Sequence, residues 1–166
     1  MNPSPDVSLV DVDETVLPEL LELAKRDASP DEVAPPAGGP GWDLERTGWF
    51  LSYHRAAADG LDGPAGEKSW AVLCGGELAG SVRLKQNAAA AVPSAEAGIW
   101  LGRSFRSRGI GGAALRLLLA EARRAGVGCV TARTLAGNGA AQLLLASVGG
   151  HITPDDDGTV IAVVEL

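Results

Sequence analysis

Residues 95–125 read AEAGIWLGRSFRSRGIGGAALRLLLAEARRA, and this stretch decides the fold. The apolar run Ala97–Leu101 predicts a strand, a basic Gly-rich turn follows over Arg103–Gly112, and Ala113–Ala125 predicts an amphipathic helix. Gly126 then supplies a left-handed stop. Four apolar residues recur on one face of the helix: Leu115, Leu118, Leu119 and Ala122. The stretch therefore predicts a strand, a turn and a helix in succession.

The Gly-rich turn has the chemistry of a phosphate site. Its glycines at 109, 111 and 112 lack a Cβ, so backbone N–H groups there can surround a ligand at the start of a helix. That end of a helix also carries a partial positive charge. Three arginines in the turn add mobile positive charge: Arg103, Arg106 and Arg108. The turn therefore predicts a binding site for a phosphate group.

Length and composition predict one globular domain. The chain has 166 residues, of which 46% are hydrophobic and 21% charged. Its N-terminal residues lack the pattern of a signal peptide, and no apolar run approaches the roughly 20 residues of a membrane helix. Cys74 and Cys129 stand singly in apolar runs, which favours free thiols in a reducing compartment. We therefore expect a cytoplasmic protein that does not bind a membrane.

The distribution of charge is uneven. The net charge of −7 argues against a nucleic-acid partner. Between Arg103 and Arg133, however, seven arginines and the single acid Glu121 give a segment charge of +6, which leaves −13 for the remainder. This basic segment favours a compact polyphosphate ligand, and the acidic remainder favours a cationic substrate nearby.

The rest of the chain predicts helices and strands of ordinary length. Residues 28–42, 59–68 and 85–94 read as loops, because proline and glycine interrupt them or no periodic pattern covers them. The aromatic residues of the second helix indicate core packing, and its His54 either belongs to that core or reaches a substrate cleft. The predicted elements are strand Val7–Val10, helix Thr15–Arg26, helix Leu44–Ala58, strands Ser69–Leu73 and Leu78–Leu84, strand Val127–Arg133, helix Asn138–Val148 and a hairpin of His151–Thr153 with Thr159–Glu165.

Two other phosphate-binding motifs are alternatives for the turn. A P-loop needs Lys and then Ser or Thr after the last glycine, and alanines stand there instead. The dinucleotide fingerprint is met in a loose form by Gly109, Gly111 and Ala114, but no acidic residue follows between Glu121 and Asp155 to bind a ribose. Arg133 at that distance suits a 2′-phosphate, so an NADP-dependent oxidoreductase remains an alternative.

Two motifs together resemble a known family. RSRGIGGA at residues 106–113 resembles the Arg/Gln-x-x-Gly-x-Gly/Ala signature of the GNAT superfamily of N-acetyltransferases. AEAGIWL at residues 95–101, with the four residues that follow it, is similar to the ribosomal-protein N-terminal acetyltransferase branch. Further on, NGAAQLLLASVG at residues 138–149 is similar to the Asn-x-x-Ala helix of the family. The resemblance is clear from about Ser69 to the C-terminus.

The resemblance implies a fold and a cofactor. It implies one α/β GNAT domain over residues 1–166, with a mixed, mostly antiparallel sheet that is splayed at the cofactor site and has helices on both faces. It implies acetyl-CoA as the acyl donor, no bound metal and, as is frequent in the superfamily, a homodimer. The cofactor-binding residues implied are Trp100, Leu101, Gly102 and Arg103 for the pantetheine arm, Arg106, Arg108, Gly109, Ile110, Gly111, Gly112 and Ala113 for the pyrophosphate, and Asn138 for the pantetheine or cysteamine end.

The resemblance also implies the reaction. A neutral primary amine, on a small molecule or a protein N-terminus, attacks the thioester while a base takes its proton. Glu96 stands where many relatives carry that base, although a glutamate on a strand also suits a solvent-facing position. Relatives commonly have a tyrosine acid where this chain has Leu145. Ser147 is the nearest hydroxyl on that helix and is the candidate acid, with water as the other source of the proton. Loss of the acid also leaves open a non-catalytic acyl-CoA-binding module.

Overall fold

The structure is a computed structural model that describes residues 5–33, 41–87 and 91–166. It contains a single sheet, onto which the helices pack. The elements in chain order are β1 (Val7–Asp11), α1 (Val16–Asp27), α2 (Pro30–Val33), α3 (Leu44–Ala57), β2 (Glu67–Cys74), β3 (Glu77–Gln86), β4 (Ser94–Leu101), α4 (Ile110–Arg124), β5 (Cys129–Leu135), α5 (Gly139–Ser147), β6 (His151–Pro154) and β7 (Thr159–Glu165).

The seven strands form one sheet in the order β1-β2-β3-β4-β5-β7-β6. All neighbours are antiparallel except β4 and β5, which run parallel and pair only where Ser94–Glu96 meets Cys129–Thr131. Beyond those three residues each strand continues without the other, so the sheet opens into a split between β4 and β5. The predicted mixed, mostly antiparallel sheet with a splayed centre is confirmed.

Helices cover both faces of the sheet, as predicted. α1 packs against β3 and α3, α3 packs against β2, and α4 packs against β1, β3 and β4. The apolar stripe of α1 is buried, because its leucines recur at helical spacing. The four apolar residues predicted for the buried face of α4 are buried too, together with Ile110 and Ala114. The core therefore lies on either side of β3 and β4, next to the split between β4 and β5.

Three sequence expectations need correction or limits. α4 begins at Ile110, not at Ala113, because Gly109 takes a left-handed conformation and the two following glycines join the first helical turn. The loop predicted over 28–42 contains α2, which starts at Pro30, a residue suited to the first position of a helix. The rest of that loop at 34–40, and residues 88–90 of the loop at 85–94, lie outside the described residues.

Two further findings concern membrane-spanning helices and the cysteine thiols. Within the described ranges, no helix is both long enough and apolar enough to cross a membrane. Cys74 and Cys129 are free and half-buried, as expected of unpaired thiols.

Candidate active site

A cavity of about 750 Å³ opens where β4 and β5 separate, and we call it the splay cavity. Its walls come from α3, the strands β2 to β5, and α5. The side chains that give it polar or aromatic character include Trp49, Tyr53, Glu67, Arg83, Glu96 and Asn138. A cavity that reaches through an opened sheet can hold an extended ligand along one strand edge and a second ligand across it.

The start of α4 leads into the split and has the geometry of an anion site. Gly109 is the N-cap with φ +77° and has no side-chain cap, so the first N–H groups of the helix have no intrahelical acceptor. Ser107, two residues before Gly109, also has a positive φ of +60°. The N–H of Ala113 donates to the Gly109 carbonyl at 3.3 Å, so the open donors precede that residue. Ile110, Gly111 and Gly112 are left to bind an anion.

Two arginines brace the turn. Arg106 Nε donates to the Leu101 carbonyl at 3.1 Å, and Arg108 Nη1 donates to the Ser104 carbonyl at 3.2 Å. The Arg108 guanidinium also lies 5.4 Å from the centre of the Phe105 ring. Both guanidinium groups are therefore held by carbonyl groups of the residues that precede α4.

Asp27 ties this turn to the end of α1. Its Oδ2 accepts the backbone N–H of Ser104 at 3.0 Å, and hydrogen bonding by the Ser104 side chain, followed by this backbone N–H, lowers the pKa of Asp27. A Cβ on Gly102 would lie only 2.7 Å from the same oxygen, so glycine permits the contact. Sequence reasoning missed Asp27, because the contact spans 77 positions of the chain.

The end of β4 supplies backbone groups to the split. The N–H of Gly102 donates to the Ala79 carbonyl at 2.8 Å, so it is already engaged. Trp100 and Leu101 are half-buried beside it, and Arg103 begins a short 3₁₀ turn that ends at Phe105. On the side facing β5, the backbone of β4 beyond Glu96 has no strand partner in the described part of the chain. Those groups are placed to pair with an extended ligand.

α5 closes the other side of the cavity. Asn138 caps the helix by accepting the Ala141 N–H at 3.1 Å, and it lines the cavity. Leu145 is buried and also lines the cavity. The candidate acid Ser147 is not brought to the site: it is exposed, and its hydroxyl donates to the Leu144 carbonyl at 2.6 Å.

Charged side chains lie across the middle of the sheet within the cavity. Glu67, Lys85 and Glu96 are opposite one another on β2, β3 and β4, so they share one face. Arg83 Nη2 lies 3.1 Å from Glu96 Oε1, and Lys85 Nζ lies 3.8 Å from Glu67 Oε1. Arg83 passes over Gly98, where an added Cβ would lie 2.7 Å from Nε. The two positive charges therefore balance the two carboxylates.

α3 contributes an aromatic wall. The rings of Trp49 and Tyr53 stack with centroids 5.2 Å apart. Burial, followed by the nearby Glu67 carboxylate, raises the pKa of Tyr53 well above its usual range. His54 is buried with Nδ1 2.8 Å from Ser69 Oγ, and burial lowers its pKa to about 4, so the ring is neutral at neutral pH. His54 thus fits both sequence expectations, since it is a core residue that also lines the cavity.

Several of these residues were not identified from the sequence. Tyr53, Glu67 and Arg83 sit within a helix and two strands that carry no motif, and only their pairing across the fold brings them together. The one available signal was a charged residue, Arg83, inside a strand that otherwise reads as apolar. Glu67 fell in the loop predicted over 59–68, and the structure corrects this, because β2 begins at Glu67. Within residues 5–33, 41–87 and 91–166, no group of three or more His, Cys, Asp or Glu residues is arranged to hold a metal ion.

Comparisons with known proteins agree with this geometry. Residues 36–149 match the Acetyltransferase (GNAT) family. A search of curated protein sequences found no significant match. Among solved structures, RimJ of Mycobacterium smegmatis in complex with CoA-disulfide has a TM-score of 0.74 at 20% identity, covering 96% of this chain and 81% of that chain.

Two other solved structures share the fold. The GNAT domain of S. lividans PAT has a TM-score of 0.73 at 20% identity and covers 98% of this chain and 90% of that chain. The N-acetyltransferase PseH of Campylobacter jejuni in complex with acetyl coenzyme A has a TM-score of 0.66 at 12% identity, covering 96% and 98%. With the family match extending over more than half of its residues, the chain belongs to the GNAT family of acetyltransferases.

Proposed function

We propose that this protein transfers the acetyl group of acetyl-CoA to a primary amine, on a small molecule or a protein N-terminus. The observation that carries the proposal is the split between β4 and β5, which opens beside the uncapped start of α4. A thioester ligand with a long polar arm and a pyrophosphate fits this combination. The similar structures of RimJ and PseH were solved with CoA-disulfide and acetyl coenzyme A, respectively, which supports the choice of donor. The ribosomal-protein N-terminal branch stays a prediction.

The donor would lie along β4. Its pantetheine arm would pair with the unpartnered backbone from Ala97 to Leu101, and its pyrophosphate would accept the first N–H groups of α4. Arg106 and Arg108 stand beside those N–H groups and add positive charge there. Asn138 lines the cavity on the far side of the arm. The thioester would then lie next to the charged side chains of the splay cavity, where β4 backbone N–H groups can stabilise the oxyanion.

The reaction needs a proton acceptor and releases a thiolate. Two carboxylates line the cavity, Glu67 and Glu96, and the family motif favours Glu96 as the base. The leaving thiol has a pKa of about 8.5 and departs readily as an anion. Because Ser147 does not reach the cavity, we propose that water protonates this thiolate.

A second candidate function is a non-catalytic acyl-CoA-binding module. The observation that favours it is Leu145, which gives the cavity an apolar wall where relatives commonly place a tyrosine. Turnover with an amine separates the two functions, since a binding module holds acetyl-CoA without releasing thiol. A homodimer, a cytoplasmic location and the absence of nucleic-acid and membrane partners stay predictions under either function.

The test is a calorimetric titration with acetyl-CoA, with NADPH as the competing ligand. We expect saturable binding of acetyl-CoA alone. Gly111→Val should weaken it by about tenfold or more, because the added methyl groups fill the space between Leu101 and Leu144 beside the open N–H groups. Gly111 has room for a Cβ, whose nearest neighbour would be 3.4 Å away, so the fold should persist. Ala125→Val, at the exposed far end of α4, is the matched control.

Preference for NADPH, or unchanged acetyl-CoA affinity in Gly111→Val, would contradict the assigned cofactor site. Thiol release in the presence of amines then separates the transferase from the binding module.

A further inference from the structure

Two buried polar atoms in the wall of the splay cavity have no partner. Tyr53 Oη and Glu67 Oε2 are both buried, and neither makes a hydrogen bond of good geometry within the described part of the chain, although the Tyr53 hydroxyl lies close enough to the Glu67 carboxylate for that group to raise the pKa of Tyr53. A buried carboxylate oxygen left unpaired is costly, because it has lost its hydration without gaining a donor. A pair of such atoms facing one cavity indicates a place for a ligand that supplies N–H or O–H groups.

The two cavity carboxylates differ in their exposure to solvent and in their hydrogen-bond partners. The Glu96 side chain is 51% exposed, and its Oε1 already accepts from Arg83 at 3.1 Å. The Glu67 side chain is only 14% exposed, and its nearest cation, Lys85 Nζ, lies 3.8 Å from Oε1, which is too far for a hydrogen bond. Glu67 therefore keeps an open acceptor inside the cavity, whereas Glu96 has a partner and faces water.

The surroundings of Glu67 also suit a cation. The stacked rings of Trp49 and Tyr53 form the adjacent wall, and aromatic faces attract ammonium groups. The raised pKa of Tyr53 keeps its hydroxyl protonated, so this oxygen can still accept one hydrogen bond through a lone pair. A primary ammonium, with three N–H donors, satisfies both orphan atoms at once.

We propose that Glu67 and Tyr53 receive the acceptor amine as its ammonium ion, and that Glu67, in place of the Glu96 favoured by the family motif, removes the proton before attack. This inference rests on the proposed function, because acetyl transfer to a primary amine requires such a group. Primary amines are largely protonated at neutral pH, with a pKa of about 10.4 for lysine. The ammonium gives one proton to the Glu67 carboxylate, and the neutral nitrogen forms the amide bond as the thioester C–S bond breaks. The second proton that the nitrogen loses on forming the amide passes through water to the departing thiolate. The proton later leaves Glu67 for solvent.

The assignment defines the acceptor class as a cationic primary amine and excludes a quaternary ammonium. A quaternary ammonium keeps the attraction to the aromatic wall but has no N–H for Glu67 Oε2 or Tyr53 Oη. Comparing the two kinds of cation therefore separates hydrogen bonding at Glu67 from general attraction of positive charge into the cavity.

The test titrates the purified protein with benzylammonium chloride and, in parallel, with benzyltrimethylammonium chloride. We expect saturable binding of the primary cation and several-fold weaker binding of the quaternary one. Glu67→Gln should weaken benzylammonium binding by about tenfold or more, because a charge-assisted hydrogen bond is lost. Tyr53→Phe, which keeps the ring and removes only the hydroxyl, should weaken it several-fold. Glu77→Gln, at the exposed opposite end of the same strand pair, is the control.

Turnover then distinguishes this inference from the proposed function. With acetyl-CoA and benzylamine, we expect Glu67→Gln to lower kcat more than Glu96→Gln does. If Glu67→Gln keeps native binding and turnover while Glu96→Gln abolishes turnover, the assignment of Glu67 is overturned and the acetyltransferase function stands. Absence of saturable benzylammonium binding to the native protein also overturns it. If acetyl-CoA fails to bind, the proposed function falls, and the two cation titrations still decide the ammonium site.

Discussion

Replacing His54 by asparagine removes an imidazole that is only 3% exposed and whose Nδ1 lies 2.8 Å from Ser69 Oγ. Burial lowers the pKa of His54 from 6.5 to about 4, because the charged ring would lose its hydration in the core. In the unfolded chain the same group titrates near its ordinary value of about 6.5. At a pH between these two pKa values only the unfolded chain binds a proton at His54, so lowering the pH through this range favours unfolding.

The size of this loss of stability follows from the difference between the two pKa values. The native protein should lose about 1.4 kcal/mol of unfolding free energy per pH unit as the pH falls from 6.5 toward 4. The loss sums to about 3 kcal/mol, a large share of the roughly 5–15 kcal/mol typical of a domain. Above pH 6.5 the imidazole is neutral in both states, and this contribution no longer changes with pH.

Urea unfolding at a series of pH values measures the effect. His54→Asn should be less stable than the native protein at neutral pH, because ring contacts with Phe50 and Tyr53 are lost. Its deficit should shrink by up to about 3 kcal/mol as the pH falls, since the variant has no imidazole to protonate. Carboxylates such as Asp27, whose pKa is lowered, titrate in both proteins and cancel in the difference. Parallel stability curves over this range would refute the reasoning.

Two further substitutions test the arrangement of the site. Gly98→Ala places a Cβ 2.7 Å from Arg83 Nε and displaces that side chain from Glu96, which leaves the cavity more negative, so KM for a cationic amine should fall several-fold with little change in Tm; unchanged kinetics would contradict the charge-balancing role of Arg83. Asp27→Asn weakens the hydrogen bond from the Ser104 N–H, so acetyl-CoA affinity should fall several-fold and stability by about 1 kcal/mol. Asp62→Asn, on an exposed loop, is its control, and equal affinities in the two variants would argue against a positioning role for Asp27.

The stretch from β4 to α4 could be predicted from the sequence, because its signals are local. Few residues other than glycine adopt a φ of +77°, the value at Gly109, and the apolar stripe of α4 repeats within a few turns. Even here the start of the helix was three residues off. Gly111 and Gly112 read as turn residues, yet the left-handed Gly109 lets them form the first helical turn.

The acceptor side of the cavity could not be predicted in this way. Glu67, Lys85 and Glu96 meet only because three strands pair in one register, and an irregularity between Val72 and Leu73 helps to set that register. A shift of one residue would turn each of these side chains to the opposite face of the sheet. Tyr53 joins them from a helix whose pattern indicated only core packing. Long-range register carries no local signature in the sequence.

The ion pairs seen in the structure weaken net charge as a reason to expect a cationic acceptor. The sequence treated residues 103–133 as a basic segment facing an acidic remainder, but Arg124 pairs with Glu121, and Arg133 Nη2 lies 3.1 Å from Asp155 Oδ2. Within the cavity, too, two cations stand beside two carboxylates, so net charge selects no ligand there. What remains selective is hydrogen-bonding capacity: among the residues that the structure describes, nothing makes a hydrogen bond of good geometry to Glu67 Oε2 or to the Tyr53 hydroxyl. An ammonium ion supplies the missing donors at short range, where a field from the whole protein would be screened within about 8 Å.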